Sequence, residues 1–182
     1  MLTDDVIAAA ANGDDRAFAI LYRALAPSVI GYLRGQGATD ADGLAGDVFV
    51  AVVKGLPRFS GDVESFKSWV FTIAHHRLVD ARRRASRRPD DVVPDAALEI
   101  ACSAASGPDF EIDALIDAQS LLPALECLSP DQRDTILLRV IADLSVERTA
   151  EILRKQPGAV KALQRRALAA LRREMSRKPV SR

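Results

Sequence analysis

Residues 145–173 read SVERTAEILRKQPGAVKALQRRALAALRR. Ser145 is a typical helix N-cap, and the apolar side chains after it recur at helical spacing as far as Leu153. The pair Pro157-Gly158 then begins a second helix with the same apolar spacing. Two helices joined by a turn of about three to four residues, with basic side chains on the outward face of the second, predict a helix-turn-helix.

The second helix of this motif carries side chains suited to nucleic acid. Lys161 and Arg165 are four residues apart and share one face, and Arg is the side chain that best forms bidentate contacts with guanine. The candidate DNA-binding residues are Gly158, Lys161, Ala162, Arg165 and Arg166. The alternative is that these bases only solvate the last helix and favour its C-terminal dipole, but the turn pattern favours binding.

Residues 1–88 are predicted to be helical, because apolar side chains recur there every three or four residues between short turn signals. We expect Thr39 or Asp40 to cap the third helix and Ser65 to cap the fourth. Pro27 lies inside the second helix and is expected to kink or split it.

A second cluster of basic residues ends this helical half. Arg77, Asp80 and Arg84 fall on one helical face, so Asp80 is expected to pair with one of the two arginines. An arginine face suits a phosphate backbone, and a merely solvated helix end is the alternative. Four aromatic residues precede the cluster: Phe59, Phe66, Trp69 and Phe71. Helical spacing favours core packing for the last three, whereas loop residue Phe59 stays a candidate platform for unstacked bases.

Helical periodicity is lost between residues 89 and 112, where proline, small and acidic residues predict a flexible acidic linker. It resumes near residue 113, and Ser129-Pro130 supplies the N-cap and first residue of a new helix. The predicted fold class is therefore all-α: two small helical domains, 1–88 and 113–182, joined by that linker, with a C-terminal helix-turn-helix.

The formal net charge is zero, with 25 basic and 25 acidic side chains, but the charges are segregated. Residues 75–88 and 154–182 are strongly basic, whereas 89–134 contain Arg133 as their single base. Because charges more than about 10 Å apart are screened at physiological salt, the local blocks matter more than the total. Two separate nucleic-acid contacts are therefore compatible with a neutral chain.

Other features argue against several classes of protein. No apolar run is long enough for a membrane helix, and no secretion signal follows Met1, so we expect a cytoplasmic protein without membrane insertion. Cys102 and Cys127 lack metal-ligand spacing and are interpreted as a linker thiol and a buried small residue. His75-His76 are expected at the surface or in hydrogen bonds. With no phosphate loop or catalytic constellation, we expect no enzyme activity, no cofactor and no metal.

These motifs together resemble a bacterial sigma factor of the extracytoplasmic-function (ECF) group. The matching segments are DADGLAGDVF (40–49), GLPRF (55–59), FKSWVFTIAHHRLVDARRR (66–84), LSPDQRDTILLRV (128–140), LSVERTAEIL (144–153) and GAVKALQRRA (158–167). Their order and spacing make the resemblance specific. The chain departs from the family pattern at Gly43 and Gly46, and at Arg154 and Lys155 in the turn.

The resemblance implies a role for each segment. Contacts with core RNA polymerase would come from Asp40, Asp47, Phe49 and Lys54. The −10 promoter element would be bound by Phe59, Ser60, Asp62, Arg77, Asp80, Arg83 and Arg84, with the loop taking a flipped base. The −35 element would be bound by Gly158, Lys161, Ala162, Arg165 and Arg166. An anti-sigma factor is a further candidate partner.

The sequence thus predicts an alternative sigma factor that brings core polymerase to promoter DNA and directs melting of the −10 element and initiation. Two other functions stay open. A stand-alone helix-turn-helix regulator would bind its site without polymerase, and an RNA-binding adaptor would be competed by single-stranded RNA.

Overall fold

The structure is a computed structural model that describes residues 2–86 and 124–177. Its elements are α1 (Asp4–Ala11), α2 (Asp15–Gly35), α3 (Ala41–Gly55), a 3₁₀ turn (Leu56–Arg58), α4 (Val63–Ser86), α5 (Pro130–Val140), α6 (Val146–Leu153) and α7 (Pro157–Arg177). No strand occurs within these two ranges, and the predicted all-α class is confirmed. The predicted linker 89–112, with Cys102, lies outside the described residues.

Side-chain caps begin the helices of the first unit. The Asp14 carboxylate accepts hydrogen bonds from the N–H groups of Arg16 (2.8 Å) and Ala17 (3.0 Å) at the start of α2. The Asp40 carboxylate accepts from the Gly43 N–H at 2.9 Å, which confirms the predicted cap of α3. Each cap satisfies backbone donors that the first helical turn leaves without partners.

The start of α4 differs from the prediction. This helix begins at Val63, and Asp62 Oδ1 accepts a hydrogen bond from the Ser65 N–H at 2.8 Å. Asp4 of α1 accepts from the Val63 N–H at 2.9 Å. The assignment of Ser65 as the cap is therefore wrong, because Asp62 and a carboxylate from a distant helix satisfy the free donors first.

α2 continues through Pro27 as one helix, so the expected split does not occur. Pro27 is exposed, which leaves water available to the helical carbonyl that has lost its donor. On the other side of the helix Leu25, Ala26 and Val29 are buried. Tertiary packing around the proline thus overrides its local helix-breaking tendency.

The core of the first unit is organised around one face of α4. Its buried side chains are no more than 1% exposed: Phe66, Val70, Phe71, Ala74 and Leu78. Tyr32 of α2 meets Phe71 edge-on, with ring centroids 5.8 Å apart. This apolar contact between α2 and α4 fixes the direction in which the remaining faces of α4 point.

The α5 helix begins at the predicted N-cap Ser129, which forms a capping box. Ser129 Oγ accepts from the Gln132 N–H at 3.4 Å, and the Gln132 side chain accepts from the Ser129 N–H at 3.1 Å. Ser145 Oγ accepts from the Arg148 N–H at 3.2 Å and caps α6, as predicted. Apolar residues of α5, α6 and α7 close a small core: Ile136, Leu137, Leu138, Ile152, Val160, Leu163, Ala167 and Leu171.

The turn between α6 and α7 confirms the helix-turn-helix prediction. Arg154 has φ 53° and ψ 42°, the left-handed conformation that commonly ends a helix. The Lys155 N–H donates to the Ala150 carbonyl at 2.9 Å, and α7 then begins at Pro157. The turn is sharp because Arg154 adopts this left-handed conformation, which glycine adopts more readily than a residue with a Cβ.

The two helical units contact each other, α2 against α5 and α4 against α6. Gly35, the last residue of α2, is buried beneath Leu137 and Leu125. A Cβ at position 35 would lie 2.7 Å from Leu137 Cδ2 and 3.4 Å from Leu125 Cδ1. The absence of a side chain on Gly35 therefore sets how closely the second unit approaches.

Replacing Arg154 with glycine should stabilise the chain. A residue with a Cβ costs about 1–2 kcal/mol in the left-handed region, and glycine loses roughly 0.5–1 kcal/mol through its freer unfolded state, so we expect a net gain of about 0.5–1 kcal/mol. Chemical denaturation of Arg154→Gly checks this. Arg154→Ala, which removes the same charge and keeps the Cβ, is the matched control and should show no gain. Equal stability of both variants would contradict the strain argument.

Candidate nucleic-acid interface

The helix-turn-helix presents a basic face at the start of α7. Gly158, Lys161, Arg165 and Arg166 are exposed, and Ala162 is half-buried beside them. The structure thus brings together all five residues predicted from the sequence for this site. Exposed guanidinium and ammonium groups beside small side chains can approach a DNA groove closely.

Contacts behind this face hold α7 in position. The Lys155 Nζ pairs with Asp131 Oδ2 at 2.8 Å, which ties the turn to the first turn of α5. Arg139 of α5 donates to Gln164 Oε1 at 3.3 Å and to the Leu144 carbonyl. Lys155 is therefore a structural residue of the turn, although its charge belongs to the basic block of the sequence.

The second basic face lies along α4. Arg77, Asp80, Arg83 and Arg84 line one open surface cleft. Helical spacing predicted a shared face for Arg77, Asp80 and Arg84. The expected ion pair is wrong: among the described residues Asp80 makes no salt bridge with Arg77 or Arg84. The Arg84 Nε instead donates to the Asp80 backbone carbonyl at 3.3 Å. Its guanidinium is held by the helix backbone rather than by a neighbouring carboxylate.

Arg82, in the same basic run, points away from that cleft. Its Nη2 donates to the Gln36 carbonyl (2.7 Å) and to Gln36 Oε1 (2.9 Å). Tyr32 Oη and His75 Nδ1 are 2.9 Å apart nearby, so His75 is a hydrogen-bonding residue, as predicted. Burial raises the pKa of Tyr32 and lowers the pKa of His75. Arg82 therefore stays exposed while its guanidinium binds buried Gln36, whereas Arg83 and Arg84 line the cleft.

An aromatic cluster stands beside the loop at 59–62. Phe59 stacks on Trp69 with ring centroids 5.2 Å apart, and the Trp69 ring covers Gly55 at the end of α3. Phe66 and Phe71 are fully buried, which confirms them as core residues. Phe59 and Trp69 are half-buried, so the edge of the stack borders the loop in which Ser60 and Asp62 are exposed.

Asp62 has a structural task in that loop besides any contact with DNA. Its carboxylate caps α4 through Ser65, and the hydrogen bonds from Ser65 lower the pKa of Asp62, with a smaller contribution from the nearby Arg148 guanidinium. The exposed Asp62 carboxylate thus connects the loop at 59–62 to the start of α4.

The outer face of α3 forms a third surface with a different character. Val50 and Val53 are 53% and 49% exposed, and Tyr22 of α2 is 45% exposed. Val53 therefore faces solvent, although it follows buried Phe49 by four residues on the same helix. Phe49, by contrast, is 6% exposed and lies under Tyr22, with ring centroids 4.6 Å apart.

The predicted polymerase-binding residues have different positions in the structure. Asp47 and Lys54 are exposed on the outer face of α3, Phe49 supports that face from beneath, and Asp40 uses its carboxylate as the cap of the helix. Sequence periodicity missed Tyr22 and Val50, because it does not show which apolar residues the neighbouring helix leaves uncovered. The result is an apolar patch edged by charge.

Other expectations concern residues away from these faces. Cys127 is exposed, so its interpretation as a buried residue is wrong; it lies in the turn before α5, where its Sγ donates to the Ala124 carbonyl at 3.0 Å. Within the described ranges, no cluster of His, Cys, Asp and Glu could hold a metal. Nor is any helix in those ranges both long and apolar enough to span a membrane.

Comparison with known proteins matches both halves of the chain. The family profile described as Sigma-70 region 2 matches residues 21–88, and that described as Sigma-70, region 4 matches residues 118–171. The ECF RNA polymerase sigma factor SigD of Mycobacterium tuberculosis is 34% identical over 181 residues, covering 94% of this chain and 83% of the relative. The ECF RNA polymerase sigma factor ShbA of Streptomyces griseus is 33% identical over 171 residues, covering 90% of each chain.

This chain belongs to the ECF sigma factors.

Two solved structures share the fold. CnrH in complex with the cytosolic domain of CnrY superposes with a TM-score of 0.66 at 23% identity, covering 96% of this chain and 97% of that one. RpoE of Bartonella quintana in complex with the anti-sigma factor NepR gives 0.67 at 22% identity, covering 91% and 98%. In sigma-factor terms, α4 and its cleft lie in region 2, and the helix-turn-helix lies in region 4.

Removing the Asp62 carboxylate should weaken the start of α4. We expect Asp62→Ala to lower the melting temperature, whereas Asp62→Asn keeps an acceptor for the Ser65 N–H and should stay closer to the parent. Because the pKa of Asp62 is lowered in the folded chain, its stabilising effect is present above the unfolded pKa and is lost as pH falls through the folded pKa. Thermal melts at neutral and acidic pH test both points. An Asp62→Asn variant as acid-sensitive as the parent would contradict this role.

Proposed function

We propose that this chain is an alternative sigma factor that binds core RNA polymerase and directs promoter recognition, −10 melting and initiation. The observation that carries the proposal is the presence of two separate exposed basic faces, one on α4 and one on α7, in the two segments that the sigma regions match. The α7 face enters the groove of the −35 element. The α4 face follows the phosphates of the −10 element, and the adjoining loop holds a base that leaves the duplex.

The division of labour follows from physical chemistry. Guanidinium groups on the α4 face neutralise phosphates and position the duplex, while Lys161 and Arg165 at the start of α7 reach base edges. The half-buried stack of Phe59 on Trp69 supplies an aromatic edge for an unstacked base. Two contacts that are weak singly become strong when polymerase holds both on one tether. The segment 89–112 serves as that tether, between functional domains 1–88 and 113–182.

The apolar patch on α3 supports binding to polymerase. Val50 and Val53 are large exposed apolar residues, and such residues with charged neighbours are typical of protein interfaces. Asp47 and Lys54 supply the charged edge. We place the protein in the cytoplasm with the polymerase. The two structural relatives were solved as complexes, one of them named as an anti-sigma factor complex, so an anti-sigma partner is part of the proposal.

Runoff transcription with purified bacterial core polymerase and a promoter library tests the function directly. Sigma-dependent transcripts are expected, and their absence under conditions in which a known sigma factor works would overturn the proposal. A regulator that works alone would instead bind its site without polymerase, which a gel-shift assay on the same library detects. The chain's match to both sigma regions favours the first outcome.

Single arginine substitutions should distinguish the roles of the α4 face and the α7 face. Arg165→Ala should reduce transcription roughly tenfold on promoters with a strong −35 element, because it removes a base or phosphate contact. Arg84→Ala should reduce it on all promoters and flatten the salt dependence of DNA binding, since a phosphate contact is lost. Arg16→Ala, an exposed arginine at the start of α2, is the charge-matched control. Equal loss in all three variants would contradict the assignment.

A charge placed in the α3 patch should disrupt polymerase binding. Val53→Glu buries a carboxylate at the interface, so we expect core affinity to fall by roughly tenfold or more with an unchanged melting temperature. Ala8→Glu adds the same charge at an exposed position of α1 and is the control. Fluorescence anisotropy with labelled protein measures the affinity. Unchanged affinity of Val53→Glu would exclude this patch from the interface.

A further inference from the structure

The α4 helix ends in an exposed serine. Ser86 is its last residue, and Ser86 Oγ donates a hydrogen bond to the Arg83 carbonyl at 3.0 Å. That carbonyl is one of those that the last turn of a helix leaves without a backbone donor. Because helix ends fray, this hydroxyl group lies at a part of α4 that opens readily to another protein. Ser86 is therefore accessible to a modifying enzyme.

Two arginines stand just before this serine. The sequence reads Arg83-Arg84-Ala85-Ser86, so arginine occupies the positions two and three residues before the hydroxyl group. Protein kinases select their substrates by such charge patterns, and carboxylates in a kinase groove bind guanidinium groups through bidentate hydrogen bonds. In the parts of the chain that the structure describes, no other exposed serine or threonine has arginine at both positions. Ser86 thus combines exposure with a sequence that an arginine-directed kinase would bind.

Ser176 provides a natural comparison. It is exposed near the end of α7, and its Oγ donates to the Arg172 carbonyl at 2.9 Å. Arg173 stands three residues before it, but Glu174 occupies the position two residues before. A carboxylate there would repel the carboxylates of an arginine-directed kinase. Both serines lie at exposed helix ends, so the pair of arginines is what distinguishes Ser86.

A phosphate on Ser86 would change the charge of the α4 basic face. Three guanidinium groups and one carboxylate line the cleft on this face: Arg77, Asp80, Arg83 and Arg84. Residues three apart on a helix are neighbours, with Cβ atoms about 5–6 Å apart, which is within the screening length of about 8 Å at physiological salt. A phosphoserine carries a charge of about −1.5 to −2 at pH 7. It would therefore offset most of the excess positive charge of the cleft.

Arg83 is the cleft residue placed to pair with such a phosphate. The Arg82 guanidinium is held by Gln36, whereas Arg83 forms no salt bridge within the described residues. Phosphate oxygens accept charge-assisted hydrogen bonds from guanidinium groups. The phosphoester oxygen has no proton, so the bond from Ser86 to the Arg83 carbonyl would be lost. Arg83 would then bind the phosphate of its own chain instead of a phosphate of DNA.

We propose that Ser86 is a phosphorylation site for an arginine-directed serine/threonine kinase, and that its phosphate weakens DNA binding by the α4 basic face. The kinase transfers the γ-phosphoryl group of ATP: a bond forms between Ser86 Oγ and the γ-phosphorus, the bond to the bridging oxygen of ADP breaks, and the hydroxyl proton passes to the catalytic base of the kinase. The effect on promoter binding rests on the proposed function, whereas the modification itself is a property of Ser86 and its two arginines.

Mass spectrometry of the full chain, after incubation with ATP and a purified arginine-directed serine kinase, tests the site. We expect Ser86 to be phosphorylated at least tenfold faster than Ser176, and Ser86→Ala to remove the fast phase. Arg84→Glu gives Ser86 the charge pattern of Ser176 and should slow its labelling to the rate of Ser176. Equal rates for the two serines in the parent chain, or unchanged labelling in Arg84→Glu, would overturn the assignment.

The chain isolated from its own cells tests whether the modification occurs there. We expect mass spectrometry of the peptide that contains Ser86 to show a phosphorylated fraction in at least one phase of growth, with the peptide that contains Ser176 unmodified. An unmodified Ser86 peptide in exponential, stationary and stressed cells would overturn the proposal.

Fluorescence anisotropy with a non-specific DNA duplex tests the effect on the α4 face. Phosphorylation of Ser86 should lower the affinity roughly tenfold at low salt and reduce the slope of log affinity against log salt by about one to two. Ser86→Ala, treated with the same kinase and ATP, is the control and should keep the affinity of the untreated chain. Unchanged affinity of a chain phosphorylated at Ser86 would overturn the regulatory role.

A melting temperature close to that of the unmodified chain would show that the phosphate acts through charge and not through unfolding, since Ser86 lies outside the core. A large fall in the melting temperature would overturn the charge mechanism. None of these measurements needs polymerase. If the chain fails to direct transcription, the proposed function fails, while phosphorylation of Ser86 and its effect on DNA affinity are still decided.

Discussion

The packing of α4 against α2, centred on the edge-on contact between Phe71 and Tyr32, is the interaction on which the other surfaces depend. A helix with one face fixed in a core has its other faces fixed as well, because side-chain directions repeat every 3.6 residues. Burying Phe66 and Leu78 turns Arg77 and Arg84 outward to the cleft. The same rotation leaves a third face for the second helical unit.

The helix-turn-helix is positioned by its turn rather than by a large buried helix face. Its geometry comes from a short turn in which Arg154 accepts a left-handed backbone, and from the pairing of Lys155 with Asp131. At these two positions, where the chain departs from the family pattern, Arg154 ends α6 and Lys155 forms an ion pair with α5. These turn contacts position α7, which carries the basic face at Lys161 and Arg165.

The two helical units of the described chain contact each other. Ser65, whose N–H donates to the Asp62 carboxylate at the start of α4, also accepts a hydrogen bond from Arg148 of the second unit. The neutral net charge of the chain is compatible with two basic faces, because acidic side chains elsewhere in the sequence balance the basic ones.

Local chemistry accounts for the features that were predictable from the amino-acid order: the caps at Asp40, Ser129 and Ser145 depend on neighbours within four residues. Other features depend on which distant helix covers a given face. Pro27 within α2, Arg82 turned to Gln36 and Val53 turned to solvent could not be read from periodicity. The docking of Gly35 under Leu137 joins residues about a hundred positions apart, and no local pattern encodes it. Side-chain period assigns a residue to a face, whereas only packing decides whether that face meets core, partner or water.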